Sequence, residues 1–402
     1  MEKPNLLYVS WITPGFDGGA CLAMHRHFDQ HDDFDLLVAS SNRCPSDKHG
    51  FIPIPRPPLL ARLSHTRYTP FARQFQILAE PYLAARTLEK VARKFKPRAI
   101  FTVADPADSW IAYLLARRLK APLISNFQDW WPESRYAGNY AEPFPFVRKI
   151  MAGRFRRIYH ASKLAFCTSP GMKEFLGAHP NAHVLFPSGA PREKTYLPDF
   201  SPPQSDRPLK IIYAGQIKLA NYGKQLLELA RLIRSRNDLS LEVYGPNPAC
   251  DKTAAADLAK LGVYKGLLPY EELKIKLRAA DVLLSIMAFE GASKTWMSTS
   301  FTTKILDYVQ CGKPVVIWGP EYTSPVRVAR ETQFAIAVDE RNPESVVNAV
   351  VALKDKDLWS QYAKKAWESA LGMFNHEVIH NGFRGEILRL LGQNTNSRDN
   401  QT

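Results

Sequence analysis

The sequence contains no run approaching the 18 or so uninterrupted apolar residues that a membrane-spanning helix needs. Met1-Glu2-Lys3-Pro4 leads straight into a strand-like segment without the zones of a signal peptide, so the expected location is the cytoplasm. Cysteine is sparse. Cys21, Cys44, Cys167, Cys250 and Cys311 are odd in number, scattered and without a Cys-x-x-Cys pair, which argues against a disulfide framework and a zinc ribbon. There is no G-x-G-x-x-G fingerprint, which disfavours a dinucleotide-dependent dehydrogenase. Ser188-Gly189 and Ser169-Pro170-Gly171 lack a nucleophile elbow. His27 and His31, four apart on a possible helix, have no helical carboxylate at ligand spacing and read as surface histidines, so no metal site is expected.

Acidic side chains are scarce in one region only. Residues 51–173 carry 21 Lys and Arg against seven Asp and Glu, an excess equal to the net +14 of all 402 residues. In the segments 55–68 and 146–159 those cations interleave with large apolar side chains. Such a pattern fits a solvated face or an anionic membrane surface, to which basic amphipathic helices bind through both charge and apolar contact. No zinc finger, basic zipper or RNP aromatic pattern points to nucleic acid, and none is expected as a partner.

What is present is an ordinary globular composition, 45% apolar and 23% charged, long enough for two domains. Short apolar runs at 5–10, 34–40, 99–103, 122–126 and 164–168 alternate with helix-like stretches such as 20–28, 81–95 and 109–119. That alternation predicts a parallel sheet covered by helices. Six prolines between Phe186 and Pro208 mark a hinge. A second series follows, with strands expected at 209–214, 239–244, 263–267, 282–286, 314–318 and 334–338, and helices including 219–235, 269–280 and 302–311. The expected fold class is therefore α/β, two doubly wound Rossmann-like domains facing each other across a cleft. Their bounds are 1–187 and 209–372, with the linker 188–208 between them. A helix over 373–391 is expected to cross back to the first domain, followed by a polar tail over 392–402.

In open parallel sheets ligands collect beyond the carboxyl ends of the strands. Gly18 and Gly19 follow the first strand, where they either present backbone amides to an anion at a helix N-terminus or simply make a tight turn. At the head of the second domain, Gly215 and Gly223 with Lys218 and Lys224 surround a strand-to-helix turn and supply the cations and free amides that a diphosphate needs. The segment 290–316 reads as a polar loop, a helix capped by Ser300 or Thr302, a stop at Gly312 and a buried strand. Within it Lys304 and Asp307, three apart, share a helix face. They form either a surface ion pair or a cation for phosphate beside a carboxylate for ribose hydroxyls.

These segments together resemble the nucleotide-sugar-dependent glycosyltransferases of the GT-B fold, specifically the retaining group called family four. The resemblance runs over nearly the whole chain: the Gly18-Gly19 loop, Phe127 to Ser134, Ala161 to Glu174, the Gly215 turn, Gly262 to Gly266 through Leu273, Ala280-Asp281-Val282, and Lys304-x-x-Asp307-Tyr308 with Gly312-Lys313-Pro314-Val315. It implies transfer of a sugar from a nucleoside diphosphate sugar, as co-substrate, to a glycan or lipid-linked acceptor in cell-surface polysaccharide synthesis. The transfer would retain configuration and use no metal or other cofactor. The acceptor would lie on the first domain and the donor on the second. Gly215, Lys218, Lys224, Lys304 and Asp307 fall at donor-binding positions, Gly18 and Gly19 in an acceptor or phosphate loop, and Asp129 and Glu290 at catalytic ones. The resemblance, with the basic first domain, places the protein at the inner face of the cell membrane. Several positions depart from the family pattern: Gln216 for arginine, Tyr222 for lysine, Thr299 for the first of a glutamate pair and Gln128 for histidine. A silent glycan- or nucleotide-binding protein and a nucleotide-sugar epimerase are the alternatives on the same architecture.

Overall fold

The computed structural model describes residues 3–42, 46–54, 62–63, 66–132, 143–217, 222–246, 252–291 and 294–392. The chain divides into two compact units, residues 1–188 with 379–402, and residues 189–378. In the first, β1 (Asn5–Val9), β2 (Asp35–Ser40), β3 (Gly50–Pro53), β4 (Ala99–Val103), β5 (Leu123–Phe127), β6 (Leu164–Cys167) and β7 (Ala182–Val184) form one sheet in the order β3-β2-β1-β4-β5-β6-β7. Its ladders are all parallel, for example Leu6 with Leu36 on one side and Ala99 on the other. Every residue of β4 and β5 is buried. This is why those segments read as mostly apolar runs rather than alternating ones, since helices cover both faces of a parallel sheet. By contrast β3, with mostly exposed residues, and the three-residue β7 carry little apolar signal.

One face of the first sheet holds an aromatic cluster of Tyr8, Phe28, Phe34, Phe101, Phe166 and Phe383. Phe383 lies on the helix His376–Leu390 and meets Phe101 edge-on at 5.8 Å between ring centroids. The same helix corrects the reading of His27, which is only 1% exposed. Its ring stacks on Phe383 at 4.3 Å, and its Nδ1 lies 3.2 Å from Nδ1 of His380, so one of these nitrogens donates to the other. His380 Nε2 in turn reaches Asp33 at 2.9 Å, and Arg384 Nε donates to the other oxygen of that carboxylate at 2.8 Å. The cover over His27 comes from residues more than 350 positions away, which no local spacing reveals.

In the second unit β8 (Leu209–Ala214), β9 (Leu239–Tyr244), β10 (Tyr264–Gly266), β11 (Val282–Ile286), β12 (Val315–Trp318) and β13 (Ile336–Val338) form a parallel sheet ordered β10-β9-β8-β11-β12-β13. The order reverses between β8 and β11, and the gap beyond their carboxyl ends is the natural ligand crevice of such a sheet. At the opposite, amino end the two strands are tied by Asp281. Its buried carboxylate accepts two N–H groups of Arg207 at 2.6 and 2.8 Å and the backbone N–H of Lys210 at 2.7 Å. Arg207→Ala leaves that carboxylate short of two donors, and a loss of about 2 kcal/mol in urea unfolding is expected.

Two local expectations are corrected. The helix in the 302–311 segment is Lys304–Val309, and its N-cap is Thr303, in helical conformation and without a side-chain cap bond, not Ser300 or Thr302. The Ser300 hydroxyl is instead buried without a partner. The polar loop before it contains a further helix, Lys294–Thr299, and towards the C-terminus three helices follow one another, Pro343–Ala352, Lys356–Leu371 and His376–Leu390.

Candidate functional site

The crevice of the second unit is floored by glycines at three neighbouring strand ends. The Gly215 N–H donates to Tyr244 O at 2.9 Å and the Gly245 N–H to Gly266 O at 3.0 Å, so the turns after β8, β9 and β10 are stitched edge to edge. Gly215, Gly245 and Gly266 all have positive φ. At Gly245 glycine is obligatory, because a Cβ there would stand 1.9 Å from the carbonyl oxygen of Gly215. At Gly215 the space a Cβ would fill is taken by the end of Lys304, whose Nζ lies 2.6 Å from that point.

Helix Lys304–Val309 is held over this turn by Tyr308. Its hydroxyl accepts the N–H of Ala214 at 2.8 Å and donates to Ala214 O at 3.1 Å, closing both backbone groups of the last β8 residue. One turn earlier, Lys304 Nζ donates to the Tyr213 hydroxyl at 3.2 Å and stands 4.5 Å from the Tyr213 ring and 5.4 Å from the Tyr222 ring. The Tyr213 hydroxyl donates onward to Gln216 O at 2.6 Å. Among the described residues no carboxylate pairs with Lys304, and burial pulls its ammonium down to about 8 from an ordinary 10.5. Cation–π contact partly offsets this desolvation but supplies no neutralising charge. The result is a half-buried cation directly above a glycine turn.

Asp307, half-buried on the same helix, accepts a hydrogen bond from the Tyr270 hydroxyl at 3.2 Å. Glu290 follows β11 and is half-buried, with its Oε2 enclosed and without a hydrogen-bond partner. A carboxylate oxygen kept dry and unbonded is costly to retain. Lys224 begins the helix Lys224–Arg234 and is exposed, while Lys218 lies outside the described residues. The structure thus brings Gly215 and Lys304 into contact and sets Asp307 beside them on one helix.

Gly18, Gly19 and Asp129 belong to the first unit. Gly18, at φ +127°, is the N-cap of the helix Gly19–Phe28, and both glycines are exposed. Asp129, also exposed, follows β5 and precedes the buried pair Trp130 and Trp131. At the β1/β4 reversal of this sheet stands Asp105, which the sequence did not single out. Its buried carboxylate accepts the Ser10 hydroxyl at 2.7 Å and the N–H groups of Trp11, Ala107 and Asp108 at 2.6 to 2.8 Å. It orders the loops after β1 and β4. In the second unit the residues missed were Tyr213, Tyr222, Tyr270 and Tyr308. The one signal for them was tyrosine at the end of β8 and directly after Asp307.

No protein-family model matches the chain, and neither does any curated protein. Solved structures do. A glycosyltransferase from Rickettsia africae superposes over 98% of this chain and 100% of its own with a TM-score of 0.65 at 13% identity. The sucrose-phosphate synthase of Thermosynechococcus elongatus matches over 97% and 99% with a TM-score of 0.66 at 14% identity. Anabaena HepE in complex with UDP matches over 96% and 100% with a TM-score of 0.64 at 12% identity. The fold is GT-B. Within the GT-B architecture the crevice of the second unit is the β8/β11 reversal described above, with Gly215 and Lys304 at its mouth.

Proposed function

We propose that this protein is a glycosyltransferase that moves a hexosyl group from a nucleoside diphosphate sugar to a glycan or lipid-linked acceptor. The proposal extends to retention of configuration, independence of metal, and a role in cell-surface polysaccharide synthesis at the inner face of the membrane. The observation that carries it is the Lys304 ammonium, half-buried and unpaired with any described carboxylate, above the Gly215 turn. A diphosphate placed there would neutralise the cation.

As the bond between the sugar's anomeric carbon and the diphosphate breaks, negative charge grows on the departing oxygens. Lys304 stabilises that charge in a low-dielectric setting, a task that divalent cations perform at other phosphate sites. The acceptor oxygen forms the new bond on the face the diphosphate leaves, and its proton passes to the departing phosphate oxygen. Asp307, held by Tyr270, accepts hydrogen bonds from ribose hydroxyls, and the Glu290 side chain, turned out of its enclosed position, accepts one from a sugar hydroxyl. Gly18, Gly19 and Asp129 serve the acceptor on the first unit. Lys218 and Lys224 reinforce the phosphate site.

Because HepE was crystallised with UDP, UDP is the first probe. Calorimetric titration is expected to give saturable binding that Asp307→Ala weakens about 10-fold or more, with ADP and GDP as comparators. UDP release from UDP-hexoses in the presence of a membrane extract then separates an enzyme from a silent binding protein. Absence of binding by every nucleoside diphosphate at millimolar concentration would sink the reading.

A further inference from the structure

On the first unit, the helices Thr69–Leu78 and Pro145–Ala161 lie side by side. They are clamped by Arg154, which donates to Leu78 O at 3.0 Å and also to Ile77 O, and by the Phe144 N–H, which donates to Gln74 Oε1 at 3.0 Å. The longer helix buries Val147, Met151, Phe155, Ile158 and Tyr159 along one side. Its opposite side presents Phe146, Lys149, Ile150, Gly153 and Arg157, all exposed and spaced at i, i+3, i+4, i+7 and i+11. A helix that merely covers a core would keep its outer side polar, yet here Phe146 and Ile150 stand among the cations on that side.

Phe146 is 56% exposed and Ile150 40%, while on the neighbouring helix Phe71 is 66% and Phe75 47%. The stripe is continuous across the helix pair, since Phe144 stacks 5.9 Å from Phe71 and 6.1 Å from Phe146. Neither helix contains an acidic residue, and the longer one carries five Lys and Arg. Lys149 sits inside the apolar stripe and Arg157 continues it, so cations and phenyl rings share one surface. Among the described residues no helix is long and apolar enough to cross a membrane. The geometry points to this two-helix face as a docking surface for an anionic lipid bilayer, the phenyl rings and Ile150 entering the headgroup boundary while Lys149 and Arg157 engage lipid phosphates. Phenyl rings without a polar tip favour a lipid boundary over a hydrated partner, and the absence of acidic residues from both helices selects negative headgroups over zwitterionic ones. This surface deepens the membrane part of the proposed function. It is independent of the donor assignment, because none of its residues belongs to the second unit.

The experiment is flotation of the full-length protein with phosphatidylcholine vesicles containing either no or 30% phosphatidylglycerol, at low and high salt. Strong retention on the anionic vesicles, at least 10-fold weaker on the neutral ones and reversed by salt, is expected. Phe71→Ser with Phe146→Ser should cut retention at least 10-fold, as should Lys149→Glu with Arg157→Glu, with thermal midpoint and UDP affinity unchanged in both. Two results overturn the proposal: equal retention on both vesicle types, or anionic retention that ignores both double variants. Binding of a single-stranded oligonucleotide with the same sensitivity to the variants, and none of vesicles, would reassign the face to nucleic acid. Failure of UDP binding alone would leave the docking surface standing.

Discussion

Replacement of Lys304 by methionine is expected to stabilise the protein while removing its hold on nucleoside diphosphates. Methionine keeps the length and apolar stem but not the charge, so the Tyr213 and Tyr222 faces stay covered. Burial holds the ammonium at about 8 instead of 10.5. Each tenfold in proton affinity corresponds to roughly 1.4 kcal/mol, so the half-buried charge costs the empty protein up to about 3.5 kcal/mol. Below pH 8 the variant should unfold at higher urea by that amount. Above pH 8 the difference should shrink, because the unfolded chain then binds a proton that the folded one has released, and wild-type stability rises with pH up to about 10.5. The effect on UDP has the opposite sign. Loss of a charge-assisted phosphate contact should lower affinity by about 10- to 100-fold, or about 1.5–3 kcal/mol. In the wild type, affinity for UDP should fall as pH rises through about 8, and in the variant it should be flat there. A variant that is neither more stable nor weaker in binding would remove Lys304 from the phosphate site.

A second large effect is expected at Gly245. An alanine methyl would stand 1.9 Å from the carbonyl oxygen of Gly215, and that neighbour is backbone. Neither turn can yield alone, because the Gly215 N–H is bonded to Tyr244 O and the Gly245 N–H to Gly266 O. Overpacking together with a side chain at positive φ should cost about 3–5 kcal/mol, seen as a lower urea midpoint. Whatever folds should bind UDP at least 10-fold more weakly, since relief of the clash moves Gly215 from beneath Lys304. Gly153→Ala is the control. Its site is open, it lies inside a helix, and it should gain about 0.5–1 kcal/mol.

The central strands were legible because burial on both faces forces runs such as Ala99–Val103 and Val282–Ile286 to be largely apolar, with one small hydroxyl residue in each. The edges β3 and β7 were not, since a short, half-exposed edge strand needs no such run. In the candidate site, the positions of Gly215 after a strand and of Lys304 and Asp307 on one helix were legible, while their roles are those proposed above. Tyr213 and Tyr308 could not, because their roles exist only once residues some 90 positions apart meet. His27 was misread for the same reason, its cover being supplied by His380 and Phe383. The cap at Ser300 or Thr302 failed because a polar residue before a helix predicts a cap only if the backbone there is extended, and Thr303 is already helical.

The return of residues 379–402 to the first unit bears on how the chain is made. Synthesis delivers β1 to β7 first, yet the aromatic cluster on that sheet stays open until Phe383, Ile387 and Leu388 leave the ribosome. The second unit, encoded later, has all of its residues available earlier. A nascent chain therefore carries an unfinished apolar face through most of translation, and premature termination just after residue 378 would release a complete second unit attached to a first unit whose aromatic cluster is still open.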